Sequence, residues 1–71
     1  MAPIPTPPTA PQDVPEAYVG LAAADAERRA RTRGWSVVRA VPPGAFITME
    51  FLEGRINFEV SDDIVTRCWQ G

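Results

Sequence analysis

The sequence contains no histidine, no lysine and a single cysteine, Cys68. One cysteine excludes an intrachain disulfide. The lack of histidine excludes zinc sites of the usual His/Cys kind, His-based catalytic triads and Cys–His nucleophilic pairs. No apolar run approaches the roughly 18 residues that a membrane span needs. The N-terminal stretch has no basic region followed by an apolar one, so it does not read as a secretory signal. The chain is expected to be either cytoplasmic or a mature form restarted with a methionine. These absences remove the usual catalytic apparatus. They point to a small binding module that is not an enzyme and needs no cofactor or metal.

The chain has 71 residues and a formal charge of −2, with seven arginines against nine acids. That balance is opposite to the basic domain or stripe of a nucleic-acid binder, so no nucleic-acid partner is expected, and no membrane. The positive charge is local, with Arg28, Arg29, Arg31 and Arg33 crowding one stretch. Such a cluster reads either as the solvated side of a helix near its C-terminus or as a phosphate or partner site.

Residues 1–16 hold six of the eight prolines and read as an extended, polyproline-like arm. The folded domain is expected over 17–71. From Leu21 to Arg33 the composition turns helical, with acids early, arginines late and Glu27 four residues before Arg31. Ala22, Ala26 and Ala30 form a narrow stripe for close packing on a sheet. Gly34 suits a left-handed cap at the helix end, and Gly20 is the best candidate at its start. A strand follows over Trp35–Val41, with Val38 and Ala40 facing the core. Another spans Arg55–Val60, with Ile56, Phe58 and Val60 inward and Arg55, Asn57 and Glu59 outward. Ser61-Asp62-Asp63 is a turn and Ile64–Trp69 a short last strand. The predicted fold class is α+β, one helix on a small mixed β-sheet with a long exposed loop between two strands.

That loop runs from Pro42 to Gly54, and connections of such length tend to be functional. Five of the eight residues in Ala45-Phe46-Ile47-Thr48-Met49-Glu50-Phe51-Leu52 are large and apolar. The segment reads either as a strand, with Phe46, Thr48 and Glu50 opposite Ile47, Met49 and Phe51, or as an exposed apolar binding loop. A glycine at each end favours the loop boundary.

Thr48-Met49-Glu50-Phe51 followed by Gly54-Arg55-Ile56-Asn57 resembles the potato inhibitor type I family of serine-protease inhibitors, and within it a microbial branch of small elastase- and subtilisin-inhibitor-like proteins. The resemblance extends back through Pro42-Pro43-Gly44, the strand and the helix to Val19-Gly20. It extends forward to the Ser61–Asp63 turn and Gly71, and the order of segments agrees with the family's. It implies a reactive-site bond between Met49 and Glu50, with Ala45, Phe46, Ile47, Thr48, Phe51 and Leu52 lying in a protease groove. Methionine suits the apolar pockets of subtilisin-, chymotrypsin- or elastase-like serine proteases. The resemblance also implies that Arg55 braces the loop from below, through the Glu50 carboxylate and a loop carbonyl. Read without it, Arg55 is a surface ion-pair residue. Asn57 stands where the plant and leech members of the family have a second bracing arginine, so a softer brace is expected unless Arg67 reaches in.

The expected partner is therefore a serine protease, bound by a monomer. The alternative is a non-inhibitory binding module of the same fold, docking through the apolar loop or the Arg28–Arg33 face. Trp35 and Trp69 read as core-rim aromatics. Cys68 reads as a small half-buried side chain, or as a dimerising thiol if exposed. Asp62 and Asp63 lack the alternating oxygen ligands of a calcium loop.

Overall fold

The computed structural model describes residues 11–45 and 50–71. Along the chain come a 3₁₀ turn (Pro15–Tyr18), helix α1 (Ala23–Thr32) and strands β1 (Val37–Val41), β2 (Arg55–Ser61) and β3 (Ile64–Gln70). The strands form one sheet in the order β1-β2-β3, with β1 parallel and β3 antiparallel to β2. The fold is thus one helix packed on a small three-stranded mixed sheet, as the residue pattern predicts.

Helix α1 starts later than its composition suggests. Ala22, not Gly20, occupies the cap position and gives no side-chain hydrogen bond. The first helical N–H, that of Ala23, donates to the Asp63 carbonyl at 2.7 Å. A group orphaned at the helix start is thus satisfied from the β2–β3 turn, across the fold. At the other end Gly34 takes φ +107°, the left-handed conformation expected there. Ala26 and Ala30 are fully buried. Their small side chains let α1 approach a core made with Tyr18, Trp35, Ile56, Phe58 and Val65. The Tyr18 and Phe58 rings lie with centroids 5.4 Å apart, tilted by 40°, a favourable aromatic arrangement.

The β2–β3 hairpin turns through Asp62 and Asp63, both at positive φ (51° and 63°), between the paired Ser61 and Ile64. Two consecutive left-handed residues match the right-handed twist of the strands, and aspartate tolerates that conformation. A register shift follows between Glu59 and Val60. It leaves Thr66 as the extra residue of a bulge, its hydroxyl donating to the Glu59 carbonyl and carboxylate, each at 3.1 Å.

Two strand expectations need correction. β1 begins at Val37, and Trp35 lies before it as a core residue only 3% exposed, not at the core's rim. Val38 packs against the core, but Ala40 is exposed. β1 is an edge strand, so an inward residue near its end still meets solvent.

The segment before the 3₁₀ turn belongs to the packed fold. Asp13, its side chain only 2% exposed, accepts hydrogen bonds from the Tyr18 hydroxyl, from Trp35 Nε1 at 2.9 Å, from Arg33 Nη1 at 2.8 Å and from the Val14 N–H at 2.9 Å. Burial alone would raise its pKa. The donors outweigh that effect and hold it at about 2, below the usual 3.8. The same contact, added to burial, pushes Tyr18 up to about 12. Asp13 therefore pins residues 13–18 over the core, joining the 3₁₀ turn, the helix end and Trp35.

Candidate functional site

The connection from β1 to β2 is long first for a topological reason. Val37 pairs with Arg55 in a parallel register, so residues 42–54 must return the full length of β1, roughly 17 Å. Parallel neighbours need a crossover of about a dozen residues. Topology sets the length, and the composition of the loop remains to be explained.

The loop leaves β1 through a turn, with the Ala45 N–H donating to the Pro42 carbonyl at 3.2 Å and Gly44 at φ +73°. Phe46, Ile47, Thr48 and Met49 lie outside the described residues. From Glu50 onward the loop is exposed, with Phe51 at 65% and Leu52 at 44% exposure, while Ala45 is half-buried. A tight return at Leu52–Arg55 ends it, the Arg55 N–H donating to the Leu52 carbonyl at 3.2 Å. The buried Gly54 accepts from the N–H groups of Ser36 (3.0 Å) and Val37 (3.2 Å), which fastens the loop exit to the start of β1.

Beneath the exit lies Arg55. Its Nη2 donates to the backbone carbonyl of Glu50 at 2.5 Å, and both Nε and Nη2 donate to the Gly71 carbonyl, at 3.0 and 2.5 Å. The sequence reading gave Arg55 two acceptors, the Glu50 carboxylate and a loop carbonyl; the guanidinium meets a loop carbonyl, that of Glu50 itself, and the main chain of Gly71 in place of the carboxylate. A backbone acceptor fixes the path of the loop more directly than a rotatable side chain. Gly71 is the other half of this clasp. Its N–H donates to the Arg55 carbonyl at 2.9 Å, and its carbonyl also accepts from the Leu52 N–H at 3.3 Å. Sequence reasoning saw Gly71 as part of a resemblance and assigned it no contact.

Gly71 has a steric role as well. It is at φ +104°, and a Cβ there would stand 2.6 and 2.8 Å from two atoms of the Phe51 ring. Gly71→Ala is therefore expected to push the Phe51 ring aside and to lower stability by about 1–2 kcal/mol, since the left-handed conformation alone costs that much. The readouts are the urea midpoint and the nuclear Overhauser contact between residue 71 and the Phe51 ring. An unchanged midpoint with the ring contact retained would contradict the packing described.

Asn57 is a further correction. It was expected to face solvent and is instead fully buried. The sheet face opposite α1 is covered locally by its own neighbours: Arg39 Nε donates to Asn57 Oδ1 at 2.7 Å, and Asn57 Nδ2 donates to the Trp69 carbonyl at 3.2 Å. Arg67, the candidate substitute brace, lies instead over the Trp69 ring, 5.5 Å from its centroid. Arg39, a β1 residue to which the sequence reading gave no role, is the arginine that meets Asn57. The signal was available only through the parallel register that sets Arg39 beside Asn57.

The arginine-rich face of α1 is largely self-neutralised. Arg28 pairs with Asp25 at 3.4 Å, Arg31 with Glu27 at 3.2 Å and Arg33 with the buried Asp13. The first two are exposed pairs within the helix, of a kind that contributes about 0.3–0.5 kcal/mol each. Cys68 is half-buried, and burial, with the charges of Glu16 and Asp13, pushes its thiol up to about 12. A thiol so rarely ionised at neutral pH is a poor nucleophile. Among the described residues no three metal-ligating side chains come together, and no helix is long and apolar enough to cross a membrane. Comparison of the chain with family models, with curated proteins and with solved structures returns no match.

Proposed function

We propose that the protein is a serine-protease inhibitor of the substrate-like loop type, similar to the potato inhibitor type I family, presenting Met49–Glu50 to a subtilisin-, chymotrypsin- or elastase-like enzyme. The observation that supports this reading most is the clasp under the loop exit. Arg55 ties the Glu50 carbonyl to Gly71, while Phe51, its ring resting on Gly71, and Leu52 stay largely exposed. Exposed apolar side chains on a main chain held from below suit a segment that is to be gripped by another protein.

Inhibition by such a segment depends on stiffness. Interfaces of about 1,600 Å² range from weak to extremely tight, and preorganisation decides where a given one falls. A loop already tethered one residue after Met49 loses less entropy on binding than a free peptide. It also keeps a cleaved end near its partner, so religation competes with release. Methionine before the scissile bond selects an apolar pocket.

The reading is tested by titrating subtilisin, chymotrypsin, elastase and trypsin with the protein and with Met49→Lys. The parent is expected to inhibit at least one of the first three stoichiometrically and to leave trypsin untouched. The lysine variant is expected to gain trypsin inhibition, because a basic side chain matches the carboxylate of that pocket. Indifference of all four enzymes to both proteins would refute the reading.

A further inference from the structure

On the sheet face opposite α1, one row of side chains crosses all three strands. Arg39 of β1, Asn57 of β2 and Trp69 of β3 are register partners in sequence, Arg39 opposite Asn57 and Asn57 opposite Trp69. The row is joined by polar contacts: Arg39 Nε to Asn57 Oδ1, and Asn57 Nδ2 to the Trp69 carbonyl. Asn57 is fully buried, so each end of its amide needs its partner. The amide thus has its orientation fixed on one side by Arg39, and on the other it holds the β3 main chain two residues before Gly71.

Gly71 is the acceptor on which the loop exit closes, through Arg55 and the Leu52 N–H. The Arg55 fork that reaches Gly71 also reaches Glu50. A continuous set of contacts therefore runs from the edge strand β1, through a buried amide and the end of β3, to the residue after Met49. Nothing else among the described contacts gives Arg39 a partner, and a half-buried arginine on an edge strand has free access to water unless it is held.

We propose that Arg39 is a positioning residue for the loop: by orienting the Asn57 amide it places the Trp69–Gly71 end of β3, and with it the clasp that fixes the main chain at Glu50. The proposal deepens the inhibitor reading and rests on it for the consequence at the Met49–Glu50 bond. The placement of Gly71 is measurable without it. Arg39 does its work through hydrogen-bond direction, so charge alone does not replace it.

Two variants break the row at different links. Arg39→Met keeps the stem that lies along the sheet and removes the Nε donor. Asn57→Asp keeps an acceptor for Arg39 and removes the donor to Trp69. Both are examined by amide hydrogen exchange at Leu52, Gly71 and Phe58, and by the rate of hydrolysis at Met49–Glu50 in excess subtilisin, with Ala26→Gly in α1 as a mildly destabilised control that touches none of the loop contacts. The expected result is exchange about tenfold faster at Leu52 and Gly71 than the change at Phe58 accounts for, in both row variants and not in the control. Hydrolysis of the loop is expected to rise by about the same factor. Arg39→Lys, with a point donor in place of a planar fork, is expected to restore only part of the protection. Equal acceleration at all three amides, or none in Arg39→Met, would overturn the proposal. Faster exchange at Leu52 and Gly71 without any change in loop hydrolysis would uphold the placement of Gly71 and refute its use in inhibition.

Discussion

Arg55→Ala is expected to weaken inhibition by about 100-fold and to turn the loop into a substrate, while the core stays folded. The guanidinium makes contacts to two carbonyls, of Glu50 and Gly71, at 2.5–3.0 Å. Hydrogen bonds from a charged donor contribute about 1.5–3 kcal/mol each. Losing the Glu50 contact and part of the Gly71 contact removes about 3 kcal/mol of preorganisation, which is about two decades in affinity. Global stability should change less, because Ile56, Phe58 and Val65 are untouched and the Gly71 carbonyl keeps the Leu52 N–H. Arg55→Lys should recover little, since one ammonium cannot span both acceptors. The inhibition constant, the hydrolysis rate and the urea midpoint of each variant check this. An Arg55→Ala protein that inhibits as well as the parent would show that the clasp does not matter.

Asp13→Ala is expected to unfold most of the protein at 25 °C. The carboxylate satisfies the Tyr18 hydroxyl and the Trp35 indole N–H, both on core residues, and a buried donor left alone costs about 1–3 kcal/mol. Two such donors approach the roughly 3–5 kcal/mol that a single core of this size supplies. The same group predicts an acid limb. Its folded-state pKa of about 2 lies below the ordinary 3.8, so the folded protein binds fewer protons than the unfolded chain in that interval. The resulting stability, about 2 kcal/mol, is fully present above about pH 5 and is lost as the pH falls through 3.8 toward 2. Urea midpoints at pH 7 and pH 3 should differ accordingly in the parent and much less in Asp13→Asn. An Asp13→Ala protein with the parent's midpoint would contradict the pinning role.

Asp13 also shows where the sequence was silent. Asp13 lies in the proline-rich stretch that reads as an extended arm, and its partners stand five, twenty and twenty-two residues away. Local pattern does not reveal contacts of that range. The helix, its alanine stripe and the alternation Ile56, Phe58, Val60 were legible because burial follows the helical and strand periods. Asn57 was misread for the same reason: alternation names the face, and what covers that face depends on the neighbouring strands. Arg39 had no visible role until the parallel pairing placed it beside Asn57. The Ala23 cap was unreadable because its acceptor is a carbonyl forty residues on.

The candidate loop was legible as a composition, five large apolar residues between two glycines. Its length had a plainer cause in the crossover between parallel strands. Arg55 was legible through resemblance, and its acceptors, the Glu50 and Gly71 carbonyls, required the fold. On the proposed inhibitor reading, what distinguishes a gripped inhibitor from a gripped substrate is how well the main chain after Met49 is held, which is the part assigned to the clasp.

On the proposed inhibitor reading, Met49–Glu50 is a bond presented to a serine protease and only slowly cut. The most direct measurement follows that bond by mass spectrometry while subtilisin is titrated to equivalence. Enzyme activity is expected to be lost at one inhibitor per enzyme, with the bond largely intact over many turnovers' worth of time. Rapid cleavage at Met49 with enzyme activity fully retained would contradict it.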